Sequence, residues 1–325
     1  MDIYCYFCAL LTLPIDVMFL YTDFSTFLKK YFEFKVQKLS VNAGFSCPTR
    51  NGYIGYGGCT YCNNQSFNPD YCTGNRSVKE QLEDGKMFFS RKYPEMKYLA
   101  YFQAYTNTYE KIEILKRLYE EALAVENVVG LVIGTRPDCV SEDLLGYLSE
   151  LGRHTFVLLE YGVETTDDAL LERINRGHTF DCAAKAICLT ARYGLHVGAH
   201  LILGLPGQAA EQMVEQADIL SDLPLETLKL HQLQLVRGTV MAREYERYPS
   251  DFNFLSVDEY ADLVIGFLER LRPDIVVERF TSQTPKELLI APDWGLKNYE
   301  FVALIQRRLK ERCTYQGRLW KGRMD

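Results

Sequence analysis

Six times along this chain a short run rich in aliphatic, β-branched and aromatic residues is followed by a run with helical hydrophobic period. No other feature constrains the fold as much. The strand-like runs fall at 36–43, 98–104, 128–134, 155–161, 196–203 and 227–235, and most are nearly continuous in apolar residues. That is the pattern of strands covered on both faces of a parallel sheet. The helix-like runs are 78–89, 109–125, 142–151, 167–174, 181–193, 209–220 and 257–271. Several carry start signals: Ser77 with Glu80 as a capping box, Ser141 before two acids, and Thr166 before two aspartates. Successive strands begin between 27 and 62 residues apart, so the expected fold class is α/β, as a parallel barrel or a doubly wound sheet. Past the Arg272-Pro273 punctuation, 274–280 can add a strand and 297–312 a basic final helix. The expected division is an N-terminal extension (1–30), a core domain (31–270) and a C-terminal extension (271–325).

Composition serves mainly to exclude. At 47% hydrophobic and 24% charged residues, the chain is neither disordered nor fibrous. A net charge of −7 rules out a generally polyanion-binding surface. The charge is uneven: 307–323 holds seven of the 36 basic residues against one of the 43 acids. Residues 1–28 are apolar, yet they lack Lys or Arg, contain Asp2, Asp16 and Asp23, and are broken by Pro14. This fits neither a signal peptide nor a membrane span of about 20 uninterrupted apolar residues. A cytoplasmic protein with no membrane partner is expected, with Met18 an alternative start.

Cys47, Cys59, Cys62 and Cys72 fall within 26 residues, which in a chain of this size favours metal binding over disulfides. Cys47-x11-Cys59-x2-Cys62 occupies the loop after the first strand, with five glycines that let the backbone fold tightly around a bulky group. In a parallel barrel, loops of this kind carry the active site. With Cys72 as fourth ligand the thiolates suit a structural zinc. The first three alone suit a [4Fe–4S] cluster with one iron left open. Cys139, Cys182, Cys188 and Cys313 read as small core hydrophobes, and Cys5-x2-Cys8 as a bare knuckle.

The cysteine loop resembles that of radical S-adenosylmethionine (SAM) enzymes, in the group with a long first gap that includes the Elongator catalytic subunit and the bacterial YhcC-like proteins. Gly134-Thr-Arg-Pro-Asp138 is similar to a group segment that starts with Glu instead. Glu160-Tyr-Gly-Val-Glu164, Leu171-Glu-Arg-Ile-Asn-Arg-Gly-His178, Leu203-Gly-Leu-Pro-Gly207, Leu228-Lys-Leu and Val236-Arg-Gly-Thr239 follow in matching order. Trp294–Tyr299 and Tyr315–Arg318 resemble the YhcC-like tail. The resemblance implies a partial (β/α)6 TIM-like barrel with a short C-terminal extension. It also implies a [4Fe–4S] cluster on Cys47, Cys59 and Cys62, and SAM bound at the open iron. Reductive cleavage would release a 5′-deoxyadenosyl radical that takes hydrogen from the substrate, within a site closed to water. A low-potential electron donor of flavodoxin or ferredoxin type is implied as partner, with tRNA or a modified nucleoside or base as substrate.

For SAM, the implied contacts are Arg136 or Arg176 to the carboxylate and Glu160 or Glu164 to the ribose or sulfonium. Gln103, Asn107 and Thr108 lie where polar contacts to the amino group are placed. Leu235, with Val236, faces adenine, and Tyr61 lies between two cysteines. Each has a plainer reading: capping for Arg136, a helix N-terminal partner for Glu164, an internally bonded core histidine for His200, a turn for Gly204 and Gly207. Only 55 residues follow Arg270, too few for the roughly 150-residue acetyltransferase domain of Elongator. The alternative to a radical enzyme is a non-catalytic four-cysteine zinc-binding module. The basic run from Arg307 to Arg323 either ends a solvated helix or meets RNA phosphates.

Overall fold

The computed structural model describes residues 20–90 and 95–322. Its strands are β1 (Val36–Val41), β2 (Lys97–Phe102), β3 (Val128–Thr135), β4 (Phe156–Glu164), β5 (His196–Leu203), β6 (Thr227–Gln232), β7 (Leu235–Val236), β8 (Val276–Arg279) and β9 (Leu289–Ala291). Seven form one parallel sheet in the order β1-β2-β3-β4-β5-β6-β8, so 274–280 does supply a seventh strand. The run 227–235 breaks after Gln232. There the Gln232 amide donates to Ser282 O (3.1 Å) and accepts from Ser282 N (2.7 Å), and the chain turns away to pair β7 antiparallel with β9.

The helices are α1 (Phe24–Leu28), α2 (Val78–Ser90), α3 (Ile112–Leu123), α4 (Glu142–Gly152), α5 (Asp168–Arg173), α6 (Phe180–Arg192), α7 (Ala210–Ser221), α8 (Val240–Arg247), α9 (Val257–Arg270) and α10 (Asn298–Glu311). The Ser77–Glu80 box is formed. Ser141 Oγ accepts from Leu144 N, but α5 is capped by Asp167 and not by Thr166. α1 and α8 lie outside every helical run read from the sequence. α1 is short, and α8 has apolar residues chiefly at its start.

Alternation along the strands sorts the interior. Leu39, Val41, Leu131, Ile133, Leu159, Leu201 and Leu230 belong to the large apolar cluster shared with the helices. The opposite faces line the inside of a curled half-barrel. At one level Phe27 and Leu28 of α1 pack with Leu99, Val132, Phe156, Leu158 and Val276 as an apolar plug. The next level is ionic, around Lys38, Glu160, Lys229 and Glu278. β1 and β8, the edge strands, share no backbone ladder, yet Lys38 Nζ lies 2.6 Å from Glu278 Oε2. The curl thus brings the two edges within ion-pair reach.

The expected basic surface is largely neutralised. Arg308 pairs with Asp258 and Asp262, Arg312 with Asp262 (2.5 Å), and Arg318 with Glu269 (2.8 Å). These arginines join α10 and the segment after it to α9, and Arg323 lies outside the described residues. No described helix is long and apolar enough to cross a membrane. Cys139, Cys182 and Cys188 are only partly buried and Cys313 is exposed, so none is the fully buried hydrophobe expected; Cys5, Cys8 and Met18 lie outside the described residues.

Candidate active site

Above the ionic level a cavity of about 220 Å³ opens at the C-terminal ends of the strands. Cys47, Cys59 and Cys62 all line it, and Cys72 does not. The loop that carries them is tied down by its neighbours. Gly58 N donates to Thr49 O (2.9 Å), Arg50 Nη2 to Cys62 O (3.2 Å), and Thr60 N to Ile174 O (3.0 Å). Asn175, at a left-handed φ of 54°, donates from Nδ2 to Gly58 O (2.8 Å). The segment after α5 is therefore a clamp on the cysteine loop.

Each thiol sulfur faces a different side-chain donor: Thr106 Oγ1 to Cys47 (3.0 Å), Arg176 Nη1 to Cys59 (3.6 Å) and Asn64 Nδ2 to Cys62 (3.7 Å). Such donors suit sulfurs that carry negative charge. Burial raises the Cys47 and Cys62 thiols, the latter up to about 12, so a metal must displace their protons. Among the described residues no three His, Cys, Asp or Glu side chains are gathered closely enough to chelate a single ion. Cys72 is buried away from the cavity, where burial pushes its thiol up to about 12. Three soft donors on one wall and an absent fourth fit a cluster with an open corner better than a four-cysteine zinc site.

Arg136 donates from Nε and Nη2 to Asp138 (both 2.9 Å) and from Nη2 to Arg176 O (2.6 Å). Its Nη1 is buried without a hydrogen-bond partner among the described residues, although the side chain lines the cavity. An orphaned guanidinium N–H costs free energy until an acceptor arrives, and a ligand carboxylate is the natural one. Arg176 lies 3.4 Å from Glu164 Oε1, and the same two side chains fill the space in which a Cβ at Gly162 would stand. Burial works against the Arg176 charge, but Tyr61, Glu164 and Cys59 hold its pKa well above the ordinary arginine value. Glu164 itself adopts φ 68°, rare for a residue with a Cβ and frequent at functional sites.

The expected site residues divide. Tyr61, Gln103, Arg136, Glu160, Glu164 and Arg176 line the cavity together with the three cysteines. Asn107, Thr108 and Leu235 do not. Asn107 Nδ2 donates to Gly134 O (2.7 Å), Thr108 Oγ1 bonds Thr135 Oγ1 (2.6 Å), and Leu235 is buried in an apolar cluster under the rim. Val236 takes the wall position instead. Glu160 is committed from both oxygens, Oε1 to Lys38 Nζ (2.7 Å) and Oε2 to Lys229 Nζ (2.5 Å) and His200 Nε2 (3.0 Å). Its carboxylate is an internal counter-ion, not a free ligand. Thr106, Arg50, Asn64, His231, Arg279 and Ser282 went unread. Lys38 and Lys229 were not read either; the one signal that they and His231 carry is a polar side chain within an apolar strand run.

Burial alone would raise the Glu160 pKa, but Lys229, Lys38 and the His200 hydrogen bond hold it well below the usual carboxylate range. Burial also lowers His200 and, further, His231, each with nearby cations adding to it. All three shifts have one sign for stability. Between the folded and unfolded pKa of each group the unfolded chain binds more protons, so stability falls as pH falls. Melting temperature is expected to hold near neutrality, to drop once pH passes below about 6.5, the unfolded histidine value, and to drop further below about 4.3 as Glu160 adds its share. Differential scanning calorimetry from pH 8 to 4 checks this, and His231→Gln should flatten the first part of the slope.

With this geometry in view, comparison with known proteins places the chain in a family. The Radical SAM superfamily model matches residues 53–220 and the Radical_SAM C-terminal domain model residues 225–311. The chain belongs to the radical SAM superfamily, and it is a radical SAM enzyme of the Elongator-like, YhcC-like kind. It is 36% identical over 278 residues to Protein YhcC of Escherichia coli K12, covering 85% of this chain and 88% of YhcC. A tRNA uridine(34) acetyltransferase of Dehalococcoides mccartyi is 31% identical over 135 residues, 39% of this chain and 29% of that protein. The fold is shared with archaeal Methanocaldococcus infernus Elp3 at a TM-score of 0.66 and 18% identity, across 87% of this chain and 64% of that one.

Proposed function

We propose that Cys47, Cys59 and Cys62 bind three irons of a [4Fe–4S] cluster, that SAM occupies the cavity beside them, and that the substrate is a tRNA or a modified nucleoside. The observation that carries the metal assignment is the placement of three cysteines, and not the fourth, on one cavity wall, each with its own side-chain donor. Superfamily membership supports the cofactors. The nucleic-acid part is supported by the tRNA-directed relative alone, since Arg308 and Arg312 are paired with acids of α9.

When bound, the cluster and SAM together supply, after one-electron reduction, a 5′-deoxyadenosyl radical that removes hydrogen from the substrate. The chain's own residues hold and shield. Thr106, Arg176 and Asn64 offset charge on the sulfurs through hydrogen bonds. Arg136 Nη1 and the Arg176 guanidinium give a carboxylate two cationic partners, and Glu164 offers an acceptor to a ribose or to a positive centre. Tyr61 closes the wall between Cys59 and Cys62, and water exclusion protects the reactive intermediate. The electron arrives from a low-potential donor of flavodoxin or ferredoxin type.

The test is anaerobic. Reconstituted protein with SAM and dithionite is expected to be brown and to form 5′-deoxyadenosine slowly without substrate. A colourless protein with one bound zinc, or product traces equal to those of Cys59→Ser, would sink the proposal.

A further inference from the structure

The cavity has a second polar wall, on β5, β6, β8 and the segment after β8, that the cysteine loop does not supply. Its charges do not balance. Lys38 and Lys229 are matched by Glu160 and Glu278, all four in mutual ion pairs. His200 and His231 are kept neutral by burial and by the cations beside them. That leaves Arg279, which lines the cavity and forms no ion pair among the described residues. Its Nη2 donates to His231 Nε2 (3.2 Å), and its Nε is buried with no hydrogen-bond partner.

Arginine can only donate, so His231 Nε2 must accept and Nδ1 must carry the proton. Nδ1 then donates to Ser282 Oγ, which leaves the Ser282 hydroxyl proton free to donate onward. The positions are held in advance by the reciprocal Gln232–Ser282 hydrogen bonds and by Thr284 Oγ1 donating to Gln234 Oε1 (2.8 Å). The wall therefore presents an unmatched positive charge and unused donors, a combination that is costly when buried and is relieved by an anion.

We infer that Arg279, His231 and Ser282 form a subsite for an anionic group of the substrate, a carboxylate or a phosphate. This deepens the functional proposal and rests on reading the cavity as the reaction chamber. Arg136 and Arg176, beside the thiols, serve SAM; Arg279, on the β8 wall, serves the second molecule.

The experiment uses the full-length, cluster-reconstituted protein. Inorganic phosphate and acetate are titrated separately by calorimetry at ionic strength held constant with sodium chloride. At least one anion is expected to bind saturably. Arg279→Gln should weaken it tenfold or more, Arg279→Lys less, and Ser282→Ala severalfold. Response to phosphate only, or to acetate only, identifies which group the substrate carries, and either supports the subsite. Absence of saturable binding to wild type, or equal affinity in a folded Arg279→Gln, overturns it. If Arg279→Gln fails to fold, equal affinity in Arg279→Lys and Ser282→Ala overturns it as well. SAM binding, measured in parallel, separates the two readings: wild type that binds an anion through Arg279 but not SAM refutes the proposed function and leaves the subsite standing.

Discussion

Serine in place of Cys47, Cys59 or Cys62 is expected to remove the cluster, while serine at Cys72 leaves it intact. A serine hydroxyl is a harder and far weaker acid than a thiol, so it neither releases its proton to iron nor matches its softness. With no further cysteine lining the cavity, loss of one corner leaves no thiolate to replace it. Cys72 cannot substitute, because it is buried off the cavity. Wild type should carry about four irons and four sulfides per chain and the broad visible absorbance of the cluster. The three variants should fall to background with unchanged far-ultraviolet circular dichroism. Loss of iron in Cys72→Ser would overturn the three-cysteine assignment.

Glu160→Ala is expected to destabilise the fold by about 3–5 kcal/mol, the usual cost of leaving a buried charge without its partner. Glu160 is 1% exposed and meets Lys38, Lys229 and His200. Its removal leaves two buried lysines against the single carboxylate of Glu278. Urea unfolding should show a lower midpoint at unchanged slope. Lys229→Met in the same chain should recover much of the loss, since it removes a stranded ammonium. A double-mutant cycle measures that coupling, and additive losses would show that the two residues do not act as a pair.

Much of the architecture was legible because each signal was local. The β5 range coincides with the apolar run at 196–203, and β1, β2 and β3 begin within a residue of their runs. The helix capped by Ser141 starts where the cap predicts. The three cysteines were legible for a similar reason, spacing within a single loop. β6 is different. Its run read as continuous to 235, but the break after Gln232 depends on Ser282, fifty residues away. Likewise Leu235 and Val236 are adjacent in sequence, and only the turn into β7 decides that Val236 meets the cavity while Leu235 meets the core.

By itself, then, the amino-acid order determined the β-α alternation, the parallel sheet and the loop that gathers three thiols, since periodicity, capping and ligand spacing operate over a few residues. Tertiary structure alone decided which polar groups are free. Glu160 looked like a ligand and is a counter-ion, because curling the sheet brings Lys38 from one edge and Lys229 from β6 onto the middle strand. Arg308 and Arg312 suited either a solvated helix end or a nucleic-acid surface and are paired, because α9 packs its acids beside them. Arg279 gave no sign in the sequence, and its lack of an ion-pair partner among the described residues emerges only when the neighbouring charges have been matched. Whether a charge is available depends on what surrounds it in space, and sequence separation carries no record of that.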